Sequence, residues 1–176
     1  MTDSFDMFIE TEVPQNEVII SRTDLKGIIT YANETFADIS GYTVEELIGK
    51  PHNILRHPDM PKSTFANLWK TIKAEKVWQG YVKNLRKDNG YYWVYAEVSG
   101  VYKNGELVEY KSIRSWVPKE KRKEMQNLYD KMRFDANENV RCVSYIPATL
   151  YSKLLSLSSD KYASDKDLLE DLLKNI

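Results

Sequence analysis

The chain reads as an α+β domain in which one antiparallel sheet packs a face against short helices. Three observations predict this class. Two β-rich runs, at 18–20 and 28–31, flank the turn-forming stretch Thr23-Asp24-Leu25-Lys26-Gly27. From Asn33 the apolar residues switch to helical spacing. Farther on, 78–117 is broken twice by an Asn-Gly pair, at Asp88-Asn89-Gly90 and Lys103-Asn104-Gly105, the pair favoured in type I′ hairpin turns.

Taken in order, 1–16 forms an N-terminal cap whose apolar trio Met7-Phe8-Ile9 is expected to pack on the rest, and the organised part begins at Glu17 with an antiparallel hairpin. A short helix follows Asn33, with Gly41 as its C-cap. Thr43 and Glu46 have capping-box spacing, so a second short helix starts there and closes at Gly49. Pro51 forces a loop to Met60 that holds His52, Arg56, His57 and Asp59. Pro61 suits the first position of a third helix, where its missing N–H is not needed. Phe65, Leu68, Trp69 and Ile72 then repeat at i, i+3, i+4, i+7, so this helix should run to about Lys76 with that stripe against the sheet. The meander 78–117 supplies three strands, the middle one unusually aromatic at 91–95. After Pro118 a charged-faced helix leaves the sheet. From 119 to 133 it carries six positive and three negative residues, which reads as a solvated face. Residues 134–176 form an appended helical extension marked by the doublets Leu154-Leu155, Leu168-Leu169 and Leu172-Leu173.

Composition removes several functions. The 176 residues balance 25 Lys+Arg against 26 Asp+Glu, so the basic excess that reads phosphate backbones or anionic lipid is absent. One cysteine, Cys142, makes no internal disulfide, and with two histidines it cannot complete a Cys₄, Cys₂His₂ or His₃ zinc site. The acidic start lacks the basic n-region of a signal peptide, and no apolar run reaches the roughly 18 residues of a membrane span, so a cytoplasmic, reducing compartment is expected. The glycines do not form G-x-G-x-x-G, and Gly49-Lys50-Pro51 is no P-loop. His57, Asp59 and a serine can be put together on paper, but no nucleophile elbow supports them, and no enzymatic activity is expected.

Three features point to a binding gap between the third helix and the sheet. Trp69 and Trp78 place two flat rings there, either as core or as walls of a site. If Trp78, Val82 and Asn84 share one face of their strand, a carboxamide points where a core residue belongs, and leaving it unpaired costs about 1–3 kcal/mol. With the register off by one, Asn84 faces water instead. A buried carboxamide, both donor and acceptor, suits the N/O edge of a planar heterocycle. Arg56-His57-Pro58-Asp59 sits at the mouth of the gap, where Arg56 can hold phosphate oxygens and Asp59 can orient Arg56, His57 or a ligand hydroxyl. The loop's charges can equally pair with one another.

Together Tyr31-Ala32-Asn33-Glu34-Thr35-Phe36, the run Ser40-Gly41-Tyr42-Thr43-Val44-Glu45-Glu46-Leu47-Ile48-Gly49-Lys50-Pro51-His52-Asn53, Arg56-His57-Pro58-Asp59-Met60-Pro61, Trp69, Trp78-Gln79-Gly80, Lys83-Asn84-Leu85-Arg86-Lys87 and Ser112-Ile113-Arg114 resemble a PAS domain of the bacterial aerotaxis-receptor type over 17–117. The resemblance implies a five-stranded antiparallel sheet with flanking helices and FAD held between helix and sheet. By motif position it makes Asn33, Arg56, His57, Asp59, Phe65, Trp69, Trp78 and Asn84 the flavin-binding candidates. Trp69 would pack near the isoalloxazine, and Asn84 would hydrogen-bond its polar edge. Aerotaxis receptors continue into a membrane anchor and a chemoreceptor signalling domain, which this sequence lacks. It is therefore similar to the FAD-binding PAS partner of bipartite energy-taxis systems, whose redox state is relayed to a separate membrane chemoreceptor-type protein. On this reading 1–16 is the cap, 17–117 the sensor, 118–133 a signalling helix, and 134–176 a helical extension for a partner or a homodimer. Two alternatives stay open: a haem-binding PAS sensor with His57 as axial ligand, and a cofactor-free PAS dimerisation module. A flavin–cysteine photoadduct is not expected, because Cys142 lies beyond the sheet.

Overall fold

A computed structural model describes residues 9–138. The element order follows the sequence pattern: β1 (Ile19–Thr23), β2 (Ile29–Ala32), α1 (Glu34–Ser40), α2 (Val44–Leu47), α3 (Lys62–Lys73), β3 (Trp78–Leu85), β4 (Tyr91–Lys103), β5 (Glu106–Ser115) and α4 (Lys119–Asp135). The predicted loop 51–60 contains one 3₁₀ turn, His52–Leu55. The five strands form one antiparallel sheet in the order β2-β1-β5-β4-β3, so β3 is an edge.

Local chemistry explains the helix ends. Asn33 is the N-cap of α1, and Thr43 and Glu46 make the full capping box of α2. Pro61 is the N-cap of α3 rather than its first residue, and it offers no side-chain bond. The α3 helix stops at Lys73, three residues short of expectation, because Glu75 takes a left-handed conformation (φ 58°).

The two Asn-Gly turns differ. Asn104 (φ 52°) and Gly105 (φ 83°) both have the positive φ of a type I′ hairpin. At the β3–β4 turn only Asn89 does, and the connection is a five-residue loop in which Asp88 accepts from the Gly90 N–H at 3.0 Å. Glycine is needed at 90 for a different reason. A Cβ there would lie 2.9 Å from the carbonyl oxygen of Ile9. The N-terminal segment crosses at this point, with Tyr91 N donating to Ile9 O and Thr11 N to Tyr91 O. Order thus begins before Glu17. Met7 and Phe8 of the apolar trio lie outside the described residues, and Ile9 is half-exposed.

Alternation along the strands gives the sheet two faces. Helices α1–α3 cover one, against Ile19, Val82, Val94 and Ala96. Part of the other, over β3 and β4, is covered by α4, which the sequence had leaving the sheet. Met125, Tyr129 and Met132 form its apolar stripe at i, i+4, i+7, and the rings of Tyr129 and Trp93 stack at 6.1 Å. Tyr129 Oη donates to the Tyr81 carbonyl at 2.6 Å, and Met60 Sδ accepts from Lys83 N at 3.2 Å, so free backbone groups of the β3 edge find partners.

Candidate functional site

A cavity of about 220 Å³ lies between α3 and the helix-covered face of the sheet. Its floor exists because the inward positions of the strands carry small side chains where large apolar ones would close the gap. Ser21 on β1, Ser112 on β5, and Ala96 and Val98 on β4 are neighbours in the ladder and all line it. One wall is the α3 stripe: Phe65, Leu68, Trp69 and Ile72. Trp69 meets Tyr110 edge-on at 5.8 Å. Trp78 and Val82 complete the apolar lining, with the Trp78 indole held by donation from Nε1 to Asn67 Oδ1 at 3.0 Å.

Polar groups converge on this apolar space. Asn84 is buried (4 % exposed), and its register opposite Tyr92 turns the carboxamide inward, which settles the choice between cavity and water. Among the described residues its Nδ2 finds no hydrogen-bond partner, and neither do Ser112 Oγ and Arg114 Nη1. The Tyr92 hydroxyl is also buried, close beside Asn84 but outside hydrogen-bond geometry with it, and burial pushes it up to about 12, an effect that the nearby Arg114 charge and Asn84 partly offset.

Arg114 is the strongest electrostatic feature. Its guanidinium is buried without a carboxylate, 5.0 Å from the centre of the Phe36 ring, and burial lowers it to about 10. Nη2 donates to Ser21 Oγ at 3.1 Å and lies 2.6 Å from His52 Nε2. Burial, then the Arg114 charge, drives His52 down to about 3, so at neutral pH it is an uncharged acceptor. Arg114 and Ser112 were not among the candidates. The signal was there in the period-two set Tyr110, Ser112, Arg114, but a hydrophilic strand reads as an outer face until its neighbours are known.

Of the eight candidates, Arg56, Phe65, Trp69, Trp78 and Asn84 line the cavity. Arg56 stacks its guanidinium 3.9 Å from the Phe65 ring centre and makes no ion pair among the described residues. The other three lie elsewhere. Asn33 is used up locally: Oδ1 accepts from Phe36 N and Ile20 N, and Nδ2 donates to Val18 O. Asp59, 1 % exposed, accepts from Lys83 Nζ at 2.7 Å and from Arg133 at 3.4 Å, and so orients neither Arg56 nor a ligand hydroxyl in the cavity. His57 is fully buried beside it, its Nδ1 accepting from Asp59 N at 3.1 Å. Burial and Lys83 hold His57 near 3, and it is not among the residues that line the cavity. The physical reason is the path of the loop, which bends around the β3 edge and carries these two side chains away from the cavity that Arg56 faces. Among the described residues there is no cluster fit for a metal ion and no helix long and apolar enough to cross a membrane.

Comparison with known proteins agrees with this architecture. Residues 29–114 match the family model of the PAS fold. The chain is 44% identical over 119 residues to the aerotaxis receptor of Escherichia coli, an alignment covering 68% of this chain and 24% of that protein. It is 31% identical over 105 residues to the nitrogen fixation regulatory protein of Klebsiella pneumoniae, covering 59% of this chain and 21% of the relative. The chain thus spans about a quarter or less of these relatives' lengths. The dark structure of the blue-light photoreceptor Aureochrome1 LOV shares the fold, with a TM-score of 0.56 at 22% identity over 62% of this chain and 85% of that one. Five antiparallel strands, the helical cover and these matches show that the chain carries a PAS domain of the aerotaxis-receptor type.

Proposed function

We propose that the cavity binds the isoalloxazine of FAD and that the chain is a non-enzymatic redox sensor relaying the state of its flavin to a membrane chemoreceptor-type partner. The observation that carries this reading is the trio of unpaired donors at Asn84 Nδ2, Ser112 Oγ and Arg114 Nη1, inside a cavity walled by Trp69, Trp78 and Phe65. Buried polar groups find partners in folded proteins, so the ligand is a flat aromatic body with several acceptor atoms along one edge. The pyrimidine edge of a flavin has that character, and the similarity to the aerotaxis receptor supports the same choice.

Bound there, a flavin supplies a reversible redox couple whose ring nitrogen changes from hydrogen-bond acceptor to donor on reduction. The protein's part is to seat and sense it. Trp69 and Trp78 exclude water, Asn84 presents a carboxamide able to turn between donor and acceptor, and Arg114 supplies a fixed positive charge that favours electron density on the ring. Arg56, stacked and unpaired at the cavity wall, is placed to meet the phosphates of a dinucleotide. Reading the chain as cytoplasmic and recruited to the membrane by its partner belongs to this same proposal.

Titration of flavin-stripped protein with FAD, FMN and riboflavin tests it. FAD is expected to bind most tightly, and Asn84→Leu to weaken all three about tenfold or more, the value of a lost buried hydrogen bond. Equal affinity of wild type and Asn84→Leu would remove Asn84 from the site.

A further inference from the structure

Two of the three candidates displaced from the cavity, His57 and Asp59, belong to a second feature. Asp59 is the centre of a buried charge cluster on the α4 side of the β3 edge. It accepts from Lys83 Nζ (2.7 Å) on β3 and from Arg133 (3.4 Å) on α4, all three side chains no more than 5 % exposed. Lys83 also donates to Gln126 on α4 at 3.1 Å and lies 4.2 Å from the centre of the Tyr91 ring. Gln126 donates to Asp130 at 2.9 Å, and Asp130 also accepts from Arg133. His57, uncharged against Asp59, closes the fourth side. Two carboxylates face two cations; Arg133 to Asp59 and Lys83 to Gln126 join α4 to the sensor, and Asp130 steadies both of those α4 residues.

Each sensor member of this cluster is a near neighbour in sequence of a cavity wall. Lys83 precedes Asn84, and Asp59 is three residues from Arg56. Arg56 and Asn84 are themselves paired by a backbone bridge at the sheet edge. Three residues beyond α4 the chain reaches the third wall: Glu138 accepts from the Lys62 N–H at 3.2 Å, serving the first turn of α3, which Pro61 leaves uncapped. Four residues on, Phe65 and then Trp69 line the cavity. The C-terminal end of α4 therefore grips the loop 56–61 and the start of α3, the walls that a ligand pushes on.

We propose that Asp59 is the joint coupling occupancy of the cavity to the docking of α4, through the loop 56–61 rather than through the sheet. A ligand that fixes Arg56 and Asn84 holds Asp59 and Lys83 in place for Arg133 and Gln126, and release of the ligand loosens them. A buried ion pair suits a two-state contact, because removing one partner strands the other charge in a dry site, so the intermediate position is costly. The coupling is reciprocal: whatever factor α4 docking adds to ligand affinity, the ligand adds to α4 docking. This inference rests on the cavity being a ligand site, as proposed above, but not on the ligand being a flavin.

The test uses the full chain and two α4 substitutions. Arg133→Gln breaks the link to Asp59, whereas Arg122→Gln breaks α4 contacts to Glu10 and Glu12 only and serves as the control. Backbone amide exchange in 56–61 is expected to quicken roughly tenfold in Arg133→Gln, FAD to bind more weakly by a comparable factor, and both to be unchanged in Arg122→Gln. In wild type, added FAD should slow exchange in 119–135. Arg133→Lys, which keeps the charge and shortens the reach, carries the same comparison if the first variant does not fold. Unchanged exchange in 56–61, or quickened exchange with unchanged FAD affinity, would overturn the joint. Wild type that takes up no FAD would overturn the flavin reading instead, and unchanged exchange in 56–61 of Arg133→Gln would still overturn the joint.

Discussion

The Nη2 of Arg114 lies 2.6 Å from Nε2 of His52, and neither side chain meets a carboxylate among the described residues. A protonated His52 would put two positive charges in contact inside the protein, so the imidazole stays neutral and accepts the bond. His57 is neutral for a related reason, burial reinforced by Lys83.

This pair sets a pH dependence. Both imidazoles are held near 3, below the ordinary 6.5, so between those values the unfolded chain binds more protons than the folded one. Their contribution to stability is complete above 6.5 and is lost as pH falls toward 3. Between pH 6.5 and 5, above the range of most carboxylates, the slope should approach about 1.4 kcal/mol per pH unit for each histidine. Urea unfolding at a series of pH values checks this, and His57→Asn should reduce the slope by about half.

Asn33→Ala separates a structural from a ligand role. The side chain makes three bonds, one to Ile20 of β1, one to Val18 just before it and one to the start of α1, so its removal should cost about 1–3 kcal/mol in urea unfolding. FAD affinity of the folded protein should be unchanged within twofold. A large loss of affinity with normal stability would return Asn33 to the site.

Asn84→Leu should do the reverse. The unliganded protein already leaves Nδ2 unpaired, so an apolar replacement of similar shape should shift its stability by less than about 1 kcal/mol while flavin retention falls. Urea midpoints of the stripped protein beside its FAD titration give both numbers.

These contrasts show what was legible beforehand. The sheet, the helix caps and the α3 stripe follow from local spacing, and each formed close to its expected bounds. Asn84 was readable because period-two counting from Trp78 tests a single register. Asp59 was misplaced because which side of a sheet edge a loop passes is a tertiary fact that no local pattern encodes. Arg133 was hidden for a similar reason. In a run of nine charged residues a solvated face is the ordinary outcome, and only the arrival of Asp59 and Asp130 at the same point makes its burial affordable. The first Asn-Gly pair misled because Gly90 makes room for the Ile9 carbonyl rather than forming a type I′ turn.

Gly80→Ala tests the construction of the cavity wall. A Cβ at 80 would fall 2.6 Å from the Trp78 ring, which lies across the glycine, so the indole must move and its bond to Asn67 must stretch. A cost of about 1–3 kcal/mol is expected, with a change in tryptophan fluorescence and weaker flavin binding. Unaltered fluorescence would show that the ring does not rest on Gly80.

The central claim is that this cavity holds a redox-active flavin, and the absorption spectrum of the freshly purified full chain, before and after dithionite, tests it most directly. The account predicts a flavin spectrum that bleaches on reduction and returns in air, with FAD released on denaturation. A Soret band, or protein that stays colourless after incubation with excess FAD, would contradict it.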